Sequence, residues 1–132
     1  RILSTFPLLT ALIEYAGQDR IAAGEAVLAA LGTLVARARA LREISMSIAG
    51  ALQRGEAPEA AAAISKDLGT RFEQDVVDTA LRILDGATAD PTSTDKLERL
   101  LARAALHSPG FTLRGGTNEV LRGVIVRGMG LR

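Results

Sequence analysis

The residues best suited to chemistry lie near the end of the chain, in the run Phe111-Thr-Leu-Arg-Gly-Gly-Thr-Asn-Glu-Val-Leu-Arg122. Two glycines, Gly115 and Gly116, precede Thr117, and apolar residues then recur at Val120, Leu121, Val124 and Ile125. That spacing predicts a tight turn feeding a short helix. Paired glycines remove two Cβ atoms, so a ligand or another backbone can come close. The first amides of a helix have no internal partner and favour acceptors and negative charge. Thr117 is expected to cap the helix through its hydroxyl, with Asn118 and Glu119 in the first turn. Such a turn can seat a polar cofactor, although a Gly-Gly-Thr run also serves as an ordinary turn. His107, the single histidine, stands where a helix should end and is expected to act as a partner for the helix dipole rather than as a base. Arg37, Arg39 and Arg42 could meet a phosphate, but a solvated face is expected, with Arg39 pairing to Glu43 at i,i+4.

The full string Gly115-Gly116-Thr117-x-Glu119-Val120-x-Arg122-x-Val124-Ile125-x-Arg127-Gly-x-Gly-Leu131 closely resembles the C-terminal signature of acyl-CoA dehydrogenases. These flavoenzymes form an α,β double bond in a fatty acyl thioester. The resemblance implies FAD as cofactor, acyl-CoA as substrate and an electron-transfer flavoprotein as electron acceptor. It sets Thr117 and Glu119 beside the flavin's ribityl-pyrophosphate or adenine end, and the Gly115-Gly116 backbone beside the thioester. It also implies a homo-oligomer, dimer or tetramer, or a heteromer with a related subunit, and the expected location is cytoplasmic.

Three positions depart from the family pattern. In many members the catalytic base is a Glu directly before the Gly-Thr pair; here that position is Gly115, which has no side chain to take a proton. Other members carry the base on an earlier helix, and Glu14 is the nearest acid by order, so the base is left unassigned. The corner that usually reads Gln-x-x-Gly-Gly, on which a neighbouring subunit's flavin rests, reads Arg82-Ile-Leu-Asp85-Gly86. A carboxylate at Asp85 would repel a pyrophosphate; Arg82, Asp85 and Gly86 remain the cofactor candidates there. The Arg-x-x-Phe-Gly loop between the first two helices is replaced by Tyr15-Ala-Gly-Gln-Asp-Arg20-Ile-Ala-Ala-Gly24, in which Arg20 holds the charge.

These residues need elements to position them. Ile2, Leu3, Phe6, Leu9, Leu12, Ile13 and Tyr15 predict a short first helix with Pro7 near its start, ending at Gly17-Gln18-Asp19. A long helix follows from about Arg20 to Arg54, with the stripe Ile21, Leu28, Leu31, Val35, Leu41, Ile44, Ile48 and Leu52, weakened at Gly24, Gly32 and Gly50. Gly55 suits its C-cap and Pro58 the first turn of a third helix running to about Leu84. That helix shows the stripe Ile64, Leu68, Phe72, Val76, Ala80 and Ile83, with Lys66, Asp67, Arg71 and Glu73 off the line. After a polar loop, Asp95 to Glu98 predicts a capping-box start for a fourth helix with Leu97, Leu100, Leu101, Ala104 and Ala105 inward. The fold expected is all-α: a four-helix up-and-down bundle, like an acyl-CoA dehydrogenase C-terminal domain, with short final helices.

Composition agrees with helices. Of 132 residues 48% are hydrophobic and only 3% aromatic, which suits packed helices and one modest core. Sixteen basic residues against fifteen acidic give +1, no general case for nucleic acid or an anionic membrane. Without cysteine there is no disulfide or thiolate chemistry, no apolar run reaches the ~20 residues of a membrane span, and no metal site is expected. The chain opens on Arg and is expected to be the C-terminal piece of a longer protein, inactive and nearly flavin-free by itself. The rival expectation is a degenerate subunit or helical oligomerisation module that touches no cofactor.

Overall fold

The computed structural model describes residues 4–18, 20–84 and 90–130, and among these there are five α-helices and no strand. Helix α1 is Phe6–Gln18, α2 Arg20–Gln53, α3 Glu59–Ile83, α4 Lys96–His107 and α5 Asn118–Gly128, with a 3₁₀ turn at Ser108–Gly110. The all-α expectation holds. Asp85 and Gly86 lie outside the described residues, as does the side chain of Arg20, which opens α2.

Local signals set most of the boundaries. Pro7 sits in the first turn of α1, where a missing amide costs nothing. Gly55, at φ +78°, turns the chain out of α2, a conformation open to glycine. Pro58 is the N-cap of α3 rather than a residue of its first turn, and its carbonyl accepts from the Ala62 amide at 2.9 Å. At α4 the Asp95 carboxylate accepts from the amides of Leu97 (2.7 Å) and Glu98 (2.9 Å). The return half of the box runs through Ser93: its hydroxyl donates to Glu98 and accepts from the Asp95 amide at 3.0 Å. One boundary differs from the expectation. Gly24 breaks α2 with φ +75°, ψ 161°, so two helical segments meet there at a kink.

α3 is the central element and packs most extensively on α2 and α5, and also on α1 and α4. The core joins Leu8, Leu9 and Leu12 of α1, Leu31, Leu34 and Leu41 of α2, Phe72, Val76, Val77 and Ala80 of α3, Leu97 and Leu101 of α4, and Phe111. The buried row of α2 is offset from the expected stripe: Leu34 is buried while Val35 and Leu52 are exposed. The ion pair on that helix runs from Arg37 to Asp75 across to α3 at 2.6 Å, with the Arg37 guanidinium 5.8 Å from the Phe72 ring centre, rather than from Arg39 to Glu43.

The larger correction concerns α3. Leu68, assigned inward, is 42% exposed, whereas Asp67 and Glu73, assigned outward, are 6% and 3% exposed. The reason is geometric. A helix covered on two sides buries a stripe wider than its apolar row, and α5 lies along the side that carries Asp67 and Thr70. Buried carboxylates need partners: Glu73 accepts from the Ser4 hydroxyl, and Asp67 from Arg71.

Candidate functional site

The Gly-Gly-Thr turn forms as expected. Gly115 and Gly116 have φ of +69° and +95°, both in the region that glycine adopts without strain. Both are exposed, and a Cβ built on Gly116 would meet nothing within 4 Å, so the space before the turn is open. Thr117, in extended geometry, caps α5 and accepts from the Val120 amide at 3.4 Å. Glu119 is exposed in the first turn. Its own backbone amide, then the Thr117 hydroxyl and the charge of Arg122, hold its carboxyl below the usual glutamate value. It is therefore an anion at neutral pH. It accepts hydrogen bonds from hydroxyl or amino groups and repels a phosphate.

Three residues of α3 hold this turn from below. The Lys66 ammonium donates to the Gly116 carbonyl at 2.6 Å. The Thr70 hydroxyl donates to Oδ1 of the buried Asn118 at 3.1 Å. Asp67 faces Arg122 of α5, with 3.8 Å between Oδ1 and the guanidinium Nε. The pairs 118 with 70 and 122 with 67 show that α5 runs antiparallel to α3. Farther along, a Cβ on Gly128 would lie 2.6 Å from that of Ala60. Beside this anchor, between α2 and α3, is a cleft of about 330 Å³ lined by Ser45, Ile48, Lys66, Thr70 and Glu73.

The other expected residues stand elsewhere. Arg82 is exposed at the far end of α3 and donates to Thr79 Oγ1 at 3.2 Å. Between Thr70 and Arg82 the helix advances twelve residues, a rise of ~18 Å. Glu14 also lies at that end: it faces Lys96 at 3.7 Å and, with Ile83, Leu84, Asp95 and Glu98, lines a hollow of about 630 Å³. So the structure does not bring Glu14 to the Gly-Gly-Thr turn. The hollow carries three carboxylates, Glu14, Asp95 and Glu98, against one Lys96, a balance that disfavours a pyrophosphate. His107 closes α4 and is exposed, as a helix-end residue should be. Among the described residues no group of three His, Asp or Glu could hold a metal ion, and no helix is long and apolar enough to cross a membrane.

The family model for the acyl-CoA dehydrogenase C-terminal domain matches residues 8–130, nearly the whole chain and every helix in it. The chain belongs to the acyl-CoA dehydrogenase family. No curated protein and no solved structure matched it. In this acyl-CoA dehydrogenase C-terminal domain the signature residues Thr117 and Glu119 lie on the exposed turn. Lys66, Asp67, Thr70 and Asn118 were not among the expected site residues. Lys66 and Thr70 share the helical row 66, 70, 73, 77, 80 on α3 with the core residues Val77 and Ala80, but nothing local pairs that row with Gly116 or Asn118.

Proposed function

We propose that this domain is the C-terminal part of an FAD-dependent acyl-CoA dehydrogenase, in which it supplies flavin contacts and an oligomer interface. The observation that carries the reading is the open, amide-lined turn at Gly115–Thr117, held by α3 and facing away from the core. FAD, when bound, would supply the acceptor for the β-hydride of an acyl thioester. Thr117 and Glu119 would meet the cofactor. Because Glu119 keeps its charge, it suits a ribityl or ribose hydroxyl or the adenine amine rather than the pyrophosphate. The Gly115 and Gly116 backbone would border the thioester, and Gly115 contributes no base. Electrons would pass onward to an electron-transfer flavoprotein.

The test is the visible spectrum of the full-length protein that carries this domain. The expected result is a stoichiometric flavin absorption band, weakened when Thr117→Ala removes the cap, and reduction of that band by an acyl-CoA. Colourless wild-type protein overturns the reading. The domain by itself is expected to be inactive and to retain little flavin, and stoichiometric yellow FAD on it would contradict that part. A second reading is favoured by Gly115 and by the acidic hollow beside Glu14: a non-catalytic subunit, or a helical oligomerisation module without cofactor. A flavin band that no acyl-CoA reduces supports the non-catalytic subunit; no flavin at all supports the module.

A further inference from the structure

The buried carboxylate of Asp67 needs an explanation beyond stability. Its side chain is 8% exposed, and it sits where an apolar residue would complete the α3 stripe. One oxygen accepts from Arg71 on the next turn of α3. The other, Oδ1, is buried and receives no hydrogen bond, and Arg122 Nε of α5 lies 3.8 Å from it. A buried carboxylate oxygen without a donor is costly, so the charge is kept for what it does to Arg122. Arg122 is one turn beyond Asn118, on the face of α5 that meets α3. It is also among the charges that hold Glu119 ionised.

We propose that Asp67 is a positioning residue for the cofactor-facing turn. Through Arg122 it fixes the rotation of α5 about its axis, and so the direction in which the Gly115–Thr117 amides and the Glu119 carboxylate point. Lys66 and Thr70 fix the other two corners, at Gly116 and Asn118. Three contacts from one helix, to three points spaced along the turn and the start of α5, define an orientation where a single contact defines only a distance. The inference rests on the flavin reading given above. It adds that the turn, formed by its own glycines and the Thr117 cap, takes its orientation from α3.

The experiment compares wild-type full-length protein with Asp67→Asn, Arg122→Gln, Arg122→Lys and the double variant Asp67→Asn/Arg122→Gln. Leu34→Ala, a cavity in the core opposite the middle of α3, serves as the stability control. FAD dissociation constants and flavin spectra are read beside melting temperatures. Asp67→Asn and Arg122→Gln are each expected to weaken FAD binding about ten-fold and to shift the flavin band, with the double variant no worse than either single one. Arg122→Lys should restore part of the affinity. Leu34→Ala should lower the melting temperature with the dissociation constant unchanged. If Asp67→Asn does not fold, the arginine variants, on a half-exposed side chain, decide the matter. Unaltered FAD affinity in them, or additive losses in the double variant, overturns the positioning role and leaves the flavin reading standing. Wild-type protein without flavin overturns both.

Discussion

Glu119 illustrates how a single side chain reports on its surroundings. Its carboxyl titrates low because the charged form accepts from its own amide and from Thr117 and faces Arg122. A group whose pKa is depressed on folding stabilises the fold above its unfolded pKa, and that contribution is lost as pH falls through the lower, folded value. An NMR titration of the Glu119 carboxyl should therefore give a midpoint below that of an ordinary glutamate. Thr117→Ala removes the second of the three causes and should raise the midpoint part of the way back. A midpoint that does not respond to Thr117→Ala would show that the hydroxyl plays no part. The same substitution removes a helix cap and should cost about 1 kcal/mol of stability. These two effects separate cleanly, since one is read from a proton and the other from a melting curve.

At the scale of elements, α5 is held on α3 by small residues at one end and by polar pairs at the other. Gly128 and Gly123 therefore predict opposite outcomes. Alanine at 128 would set its Cβ 2.6 Å from the Ala60 Cβ and 3.7 Å from the Ala60 backbone. The resulting displacement of α5 should cost ~1–3 kcal/mol, more than the ~1 kcal/mol by which alanine favours a helix. Alanine at 123 would meet nothing within 4 Å, so the helix preference acts unopposed and the melting temperature should rise. Equal effects from both substitutions would contradict the observed packing of α5 on α3. These elements also show what was readable in the chain. Gly55, the Asp95 box, the Gly-Gly-Thr turn and the spacing of Val76 and Ala80 each carry a local cause, and each formed as expected. The Gly24 break did not announce itself, because an isolated glycine in a helical pattern is compatible with a continuous helix. Asp67 and Glu73 were misassigned because their burial depends on α5 and on Ser4, which are distant in sequence. The turn itself was legible from its glycines. Its three anchors on α3 are not, since contacts across 48 to 55 positions leave no local trace.

At the scale of the whole domain, apolar surface remains uncovered along the chain from the end of α4 to the end of α5. Leu106 is 76% exposed, Leu113 65% and Met129 66%, with Val120 also exposed between them. Large apolar side chains left in water would suit the oligomer interface proposed for this domain. Burial of such area contributes ~25 cal/mol per Å², and a net charge of +1 sets no strong repulsion between two copies. Sedimentation at micromolar concentration should therefore give a dimer or larger assembly. Leu106→Glu combined with Leu113→Glu should shift it to the monomer while leaving the helical circular dichroism unchanged, because neither side chain belongs to the core. Both flank the 3₁₀ turn that leads into Gly115, so an assembly formed through them would bring a neighbouring copy close to the proposed flavin-facing bend, and dissociation should weaken FAD retention in the full-length protein as well as change its mass. A wild-type monomer would contradict the predicted assembly, and a double variant that still assembles would move the interface to another face of the bundle.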